Sequence, residues 1–254
     1  MVSSKGFLRK PLFYIFFVFF ILWIVLFEFI IPENSFLPKP GIVILTIPAL
    51  FEDYHLIADF FTTISAVYLP ALLAYLLIFL FRKVVLRKSG GVQIFTGFIS
   101  QLSGFFPPVL LGIVFIFWFP HSFITEYIFS FIISAIWWFS EIRSKGIAPN
   151  DNYLVSFKSF GADEAFINKH IIWNEVKPAV FGNLVKLHLH LWAVILVFEF
   201  ISEGYGLGSL LSRTLIYHDL SAFFLVLVII SGLILTGFYF IKYIENRYIF
   251  WSAE

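Results

Sequence analysis

The chain has 254 residues, 60% of them hydrophobic, 21% aromatic and only 13% charged, with a formal net charge of +1 and a mean hydropathy of +0.94. Soluble domains carry roughly 25% charged and about 45–50% apolar residues, and at this length a water-facing surface cannot hide so much apolar side chain; a bilayer can. The near-zero net charge argues against a nucleic-acid partner, and the absence of cysteine excludes disulfides, thiol catalysis and Cys-based metal sites.

A membrane-spanning helix needs about 20 mostly apolar residues, and six stretches qualify: 11–31, 62–81, 97–119, 123–141, 179–201 and 222–241. The first follows Lys5, Arg9 and Lys10, as a signal peptide would. Its apolar run is longer than the roughly 7–15 residues of a signal-peptide core, and no A-x-A-like site follows it, so it is expected to remain as a span. The third carries Pro107-Pro108. Prolines there must kink or break the helix, and the freed carbonyls need protein or water partners, so an interior position is expected. Between the first two spans, 32–61 holds Pro32, Pro38, Pro40 and Pro48 with Glu52, Asp53 and Asp59, and has room for a short interfacial helix. The longest polar stretch, 142–177, separates spans four and five; 202–221 carries glycines and Asp219. The chain reads as one all-α integral membrane domain over residues 1–254, with no internal repeat.

Basic residues set the topology. Lys5, Arg9, Lys10, Arg82, Lys83, Arg87, Lys88, Arg143, Lys145, Lys158, Lys169, Lys177, Lys186, Lys242 and Arg247 fall on one side of six spans, leaving Lys39 and Arg213 on the other. Both termini and the 142–177 segment are therefore expected in the cytoplasm.

Ionisable residues at membrane depth are costly and are functional candidates. Glu199 lies near the outer end of span five and reads either as a pathway residue or as an interfacial carboxylate reached by water. Glu28 and Glu126 also lie near outer ends. His188 and His190 are about 200° apart on a helix and cannot chelate one metal together. Lys186 and His190, four apart, share a face; that face reads as the lining of an anion pathway, or as a snorkelling lysine beside a hydrogen-bonded packing histidine. Gly206-Leu207-Gly208 reads as a tight turn before a short outer helix, Ser209–Tyr217, and not as a nucleotide cradle, since the strand-then-helix context is missing. Trp137-Trp138 and Tyr243/Tyr248 read as interfacial anchors, and the adjacent pair His218-Asp219 is given no catalytic role.

On the inner side, Asn152–Asp163 reads as a helix, a break at Gly161, and a second helix from Asp163, with Asp163 and Glu164 favourable at its N-terminus. The elbow reads as a docking point for a cytoplasmic partner or as a solvated loop. Here the sequence resembles the permeases of type I ABC importers, specifically the nitrate/sulfonate/taurine/bicarbonate group. Gly161-Ala162 and Ile171 keep the spacing of that family's cytoplasmic motif, whereas Val155-Ser156-Phe157 replaces E-A-A and Trp173-Asn174 replaces Leu-Pro; Pro178 matches a later proline. Leu37-Pro38-Lys39-Pro40 looks like its L-P-x-P, and Phe106-Pro107-Pro108-Val109-Leu110 with Phe117-Trp118-Phe119 resembles its P-P-L-A…L-W-F-G segment. Glu199–Gly208 follows its E-x-L-x-x-x-x-G-L-G. The four segments occur in order over nearly the whole chain.

The resemblance implies a type I ABC importer permease core in a bacterial inner membrane. Its coupling segment would span about 151–174, with Phe160, Gly161, Ala162, Asp163 and Glu164 seated in the groove of a cytoplasmic ABC ATPase. Pro107, Pro108, Lys186, His190 and Glu199 are the candidate pathway residues. No G-x-x-x-x-G-K-[ST] loop is present, so the chain needs no cofactor of its own; ATP and Mg belong to the ATPase. Further expected partners are a second permease subunit, identical or paralogous, and an extracytoplasmic substrate-binding protein, with a small polar or anionic solute as cargo. Two other classes stand beside this one. An intramembrane enzyme needs a nucleophile paired with a base, which the sequence does not offer; in a membrane scaffold the elbow would be a mere loop.

Overall fold

The computed structural model describes residues 9–31, 38–81, 107–119, 122–145 and 180–248, with isolated positions between 91 and 101 and between 156 and 167. Every regular element among them is helical. Helix α1 (Arg9–Val25) continues into a π-helical turn, Leu26–Ile30. Within that turn Glu28 accepts a hydrogen bond from the Gly41 N–H at 2.9 Å, at the start of α2 (Pro40–Leu45). A carboxylate is favoured at a helix N-terminus, and Pro40 occupies the first turn, where a missing N–H costs nothing. Helix α3 (Ile47–Glu52) follows at once, so the single interfacial helix expected in 32–61 is a pair.

Helix α4 (Leu56–Leu80) starts earlier than the expected residue 62 and takes in Asp59. Its buried positions, Leu56, Asp59, Thr63, Ala66, Val67, Pro70, Ala74 and Ile78, recur every three or four residues and form one stripe. That stripe packs on α6 (Phe123–Lys145). Pro70 removes the N–H that would bond the Ala66 carbonyl. Ser130 of α6 replaces it, donating to that carbonyl at 2.6 Å, and the Trp138 Nε1–H donates to Ala71 one turn on. Trp138 is thus buried between helices and is not an interfacial anchor as expected. Ser130→Ala should cost about 1–3 kcal/mol through the orphaned carbonyl, read as a lower unfolding midpoint in detergent. Adding Pro70→Ala, which restores the helical N–H, should recover most of it; a double variant no more stable than Ser130→Ala would exclude this account.

Helix α5 (Pro108–Trp118) begins at the proline pair, with Pro107 extended at φ −57, ψ 131. The chain is broken there, as expected, but Pro107 is exposed and Pro108 half-buried, so the expected interior position is not found. Contact runs through Gly112 instead: a Cβ there would lie 3.2 Å from the Phe129 ring and 3.3 Å from that of Phe198. Helices α7 (Leu184–Ser202), α8 (Leu207–Ile216) and α9 (Leu220–Tyr248) complete the described bundle. The starts of α4, α6 and α9 share one end with the finishes of α5 and α7, so these five helices alternate in direction.

Large apolar side chains cover the outside: Phe19 is 69% exposed, Phe117 81% and Val228 65%. Soluble monomers do not carry apolar surface on this scale. Among the described residues, Leu56–Leu80, Leu184–Ser202 and Leu220–Arg247 are long and apolar enough to cross a bilayer, and shorter apolar helices accompany them.

Candidate functional site

The most constrained polar site lies at the start of α8. A helix leaves its first N–H groups without intrahelical partners, and here three side chains from α4 and α7 supply acceptors. Gly206 N donates to Asp59 Oδ1 at 2.9 Å, Leu207 N to Thr63 Oγ1 at 2.7 Å and Gly208 N to Glu199 Oε2 at 2.7 Å. The Thr63 hydroxyl then donates to Glu199 Oε1 at 2.7 Å. Ser209 Oγ donates to the Glu199 carbonyl, tying α8 to the last turn of α7. Arg213, one and a half turns into α8, pairs through Nη2 with Asp59 Oδ2. Thr63 and Glu199 are fully buried and Asp59 is 5% exposed. Buried carboxylates persist only where charge or donors meet them, and here the α8 N–H groups, its dipole and Arg213 do so.

The glycines follow from this cap. Gly206 sits at φ +96, ψ 173, a conformation essentially restricted to glycine. A Cβ on Gly206 or Gly208 would run into Glu199, and on Gly208 into the Leu196 carbonyl as well. The tight turn expected at Gly206-Leu207-Gly208 is present, and the short helix after it starts at Leu207, not Ser209. At the same end, Asp219 accepts from Ala222 N at 2.9 Å, capping α9, and from the Tyr54 hydroxyl at 3.1 Å. Burial, with the Asp219 carboxylate beside it, pushes the Tyr54 hydroxyl up to about 12. Asp219 is thus a structural acceptor.

A second polar chain crosses the middle of the bundle. Trp192 Nε1–H donates to the Tyr68 hydroxyl at 3.3 Å, Tyr68 bonds His188 Nδ1 at 3.0 Å, and His188 Nε2 bonds the Ile234 carbonyl at 3.0 Å. A carbonyl can only accept, so Nε2 carries the proton and Nδ1 accepts from tyrosine. Gly237 admits this contact, since a Cβ there would stand 2.6 Å from the Tyr68 oxygen. The packing-histidine role considered for His190 therefore belongs to His188, which is 2% exposed.

Lys186 is exposed and His190 half-buried; Lys186 heads an exposed stripe on α7 with Leu189, Ala193, Val197 and Phe200. Glu199 is enclosed, so the water-reached interfacial carboxylate is not what the structure shows. In the elbow, Phe160 is 87% exposed and Gly161 turns at φ +81, while Ala162, Asp163 and Glu164 lie outside the described residues. Sequence reasoning did not single out Asp59, Thr63 or Arg213. The available signal was an aspartate near an apolar helix start and one of only two basic residues on the sparsely charged side.

Residues 86–250 match the family described as binding-protein-dependent transport system inner membrane component. The chain belongs to this family. No curated relative and no solved structure matches it. The protein is an ABC importer permease component, and the matched stretch carries Glu126, Glu199, the Gly206–Gly208 turn and Arg213. Asp59 and Thr63 come from outside that stretch, so the α8 cap joins the permease core to the helix that precedes it.

Proposed function

We propose that this permease, paired with an identical or paralogous copy, forms the pathway of an ATP-driven importer for a small polar or anionic solute of the nitrate, sulfonate, taurine or bicarbonate type. In this reading the chain spans the membrane six times with both termini in the cytoplasm. An extracytoplasmic binding protein delivers the solute to the end of the bundle that carries the α8 cap. A separate ABC ATPase, with its ATP and Mg, docks against about 151–174, and the exposed face of Lys186 and His190 borders the pathway.

Phe160 carries the coupling assignment: a large apolar ring, 87% exposed, beside a turn that Gly161 makes at φ +81. In water such a ring is an unfavourable surface unless a partner covers it. Among the described residues a Cβ on Gly161 meets nothing within 4 Å, so within the described part of the chain a substitution there acts through backbone strain. Gly161→Val should cost about 1–2 kcal/mol for the left-handed turn, close to a ten-fold loss of the docked conformer; Gly161→Asn should cost less. The readout is retention of the ATPase subunit on the tagged permease, together with transport in proteoliposomes, at unchanged membrane insertion. Wild-type permease that never retains an ATPase would sink the importer reading; a Gly161→Val variant that transports normally would sink only the coupling site.

A further inference from the structure

Hydrogen bonds pin five of the described helices to one another. Helix α4 holds α6 through the Ser130 and Trp138 bonds to its backbone and through the paired hydroxyls of Ser65 and Tyr127 at 2.5 Å. It holds α7 through Thr63 with Glu199 and Tyr68 with His188, and His188 reaches α9 at the Ile234 carbonyl. Asn183, the N-cap of α7, donates to Glu141 of α6 at 2.6 Å. Asp59, Thr63 and Glu199 bind the start of α8. Inside a bilayer no water offers a substitute partner, so bonds of this kind hold their geometry.

Helix α5 is the exception. Its sequence, PVLLGIVFIFW, has one side chain able to hydrogen-bond, Trp118, and that ring is 79% exposed. Among the described residues α5 meets α6 and α7 by apolar packing alone. The contact is also flat. The rings of Phe129 on α6 and Phe198 on α7 stack with centroids 4.6 Å apart and planes 18° apart, and Gly112 rests on both with no side chain to key into them. Apolar contact between helices gains nothing from water exclusion in lipid, and packed helices shift past one another by about 1–2 Å. At its start the proline pair breaks the helix, so the preceding backbone does not hold α5 as a continuous rod.

The finish of α5 covers a polar pocket. Ile116 and Phe119 wall a cavity of about 10 Å³ whose lining also includes Ser122, Thr125, Glu126 and Ser202. That volume is about one probe sphere, the least that holds a water. Three hydroxyls and a carboxyl group are thus gathered beneath an apolar lip, at the end of the bundle that carries the α8 cap.

We propose that α5 is a sliding gate: it shifts along the Phe129–Phe198 ring pair at Gly112, and its finish alternately covers and uncovers the polar pocket for a small hydrogen-bonding solute. The part this motion plays in import rests on the importer reading above; the motion itself does not.

The sequence has no cysteine, so paired cysteines carrying nitroxide labels report without background. Phe117→Cys on α5 with Val197→Cys on α7 forms the gate pair, and Leu72→Cys on α4 with Leu189→Cys on α7 the control; all four residues are exposed, so the labels leave the packing intact. Pulsed electron resonance on the full-length permease in lipid nanodiscs gives the distance distributions. The gate pair should be broader than the control by at least the 1–2 Å or so of a helix shift. Gly112→Ala, whose methyl would stand 3.2 and 3.3 Å from the two rings, should narrow the gate pair to the width of the control. The same variant should lose most of its import in proteoliposomes with the ATPase and binding protein. Equal widths for the two pairs without the Gly112 substitution would overturn the gate, and that arm leaves the core untouched. So would a Gly112→Ala protein that keeps the broad distribution, which makes Gly112 a packing residue only, or one that imports at the wild-type rate. A wild-type permease that retains no ATPase removes the importer reading, while the label widths still decide the motion.

Discussion

Asp59→Ala should lower the unfolding midpoint of the detergent-solubilised permease more than any other single truncation among the polar side chains of the cap. Removing one partner of a buried ion pair typically costs about 3–5 kcal/mol, because the other charge is left uncompensated. Here the loss belongs at the lower end of that range, since Arg213 is 32% exposed at its side chain and water can partly replace the carboxylate. The Gly206 N–H loses its acceptor as well. Asp59→Asn keeps an oxygen for Gly206 and should fall between wild type and Asp59→Ala. Combining Asp59→Ala with Arg213→Met removes the orphaned charge and should recover part of the loss. If the double variant is no more stable than Asp59→Ala, then the guanidinium is not what makes the truncation costly, and the loss lies in the α8 N-terminus alone.

Gly206→Ala should be comparably severe for a different reason. The φ of +96 with ψ 173 puts a non-glycine residue in a region costing about 1–3 kcal/mol, and forcing a methyl group against the Glu199 carboxyl adds an overpacking cost of about 1–3 kcal/mol. Glu199 cannot swing aside without giving up Thr63 and Gly208. Gly208→Ala tests the same crowding without the strained backbone, since its methyl would meet the Leu196 carbonyl and lie 2.7 Å from Glu199 Cβ. Gly232→Ala is the control: a Cβ there has nothing within 4 Å, and alanine is the better helix former. Size-exclusion profiles and unfolding midpoints should rank Gly232→Ala near wild type and the two turn variants far below. A Gly206→Ala protein as stable as the Gly232→Ala control would remove the cap as the reason for the glycines.

The stripe on α4 shows where reading along the chain works and where it stops. Its apolar members mark a buried helix face by spacing alone, and the same spacing passes through Asp59 and Thr63. Those two read as a loop acid and an ordinary span residue, because their meaning depends on Gly206 and Leu207, 147 and 144 positions away. Glu199 was singled out as an ionisable group at membrane depth, but its surroundings could not be inferred: an interfacial carboxylate and a helix-capping one look alike in sequence. Trp138 was misplaced for a related reason. Tryptophan near a helix end reads as an anchor, and only the packing of α6 on α4, which brings the Ala71 carbonyl within reach of its N–H, shows that this one turns inward. His188 and His190 differ by two positions on one helix, and which of them packs depends on where α9 approaches closely, at Gly237.

Composition, apolar run length and turn residues determined the membrane class, the placement of most helices and the break at Pro107-Pro108. These are local or summed properties, set by the transfer of apolar side chains out of water and by the backbone limits of proline and glycine. The tertiary structure alone decided that Asp59, Thr63 and Glu199 come together and which helix end they cap. Burial makes each polar group depend on whatever donor or acceptor the opposing helix brings to it, and residues more than a hundred positions apart become partners only once α4, α6, α7 and α8 are packed.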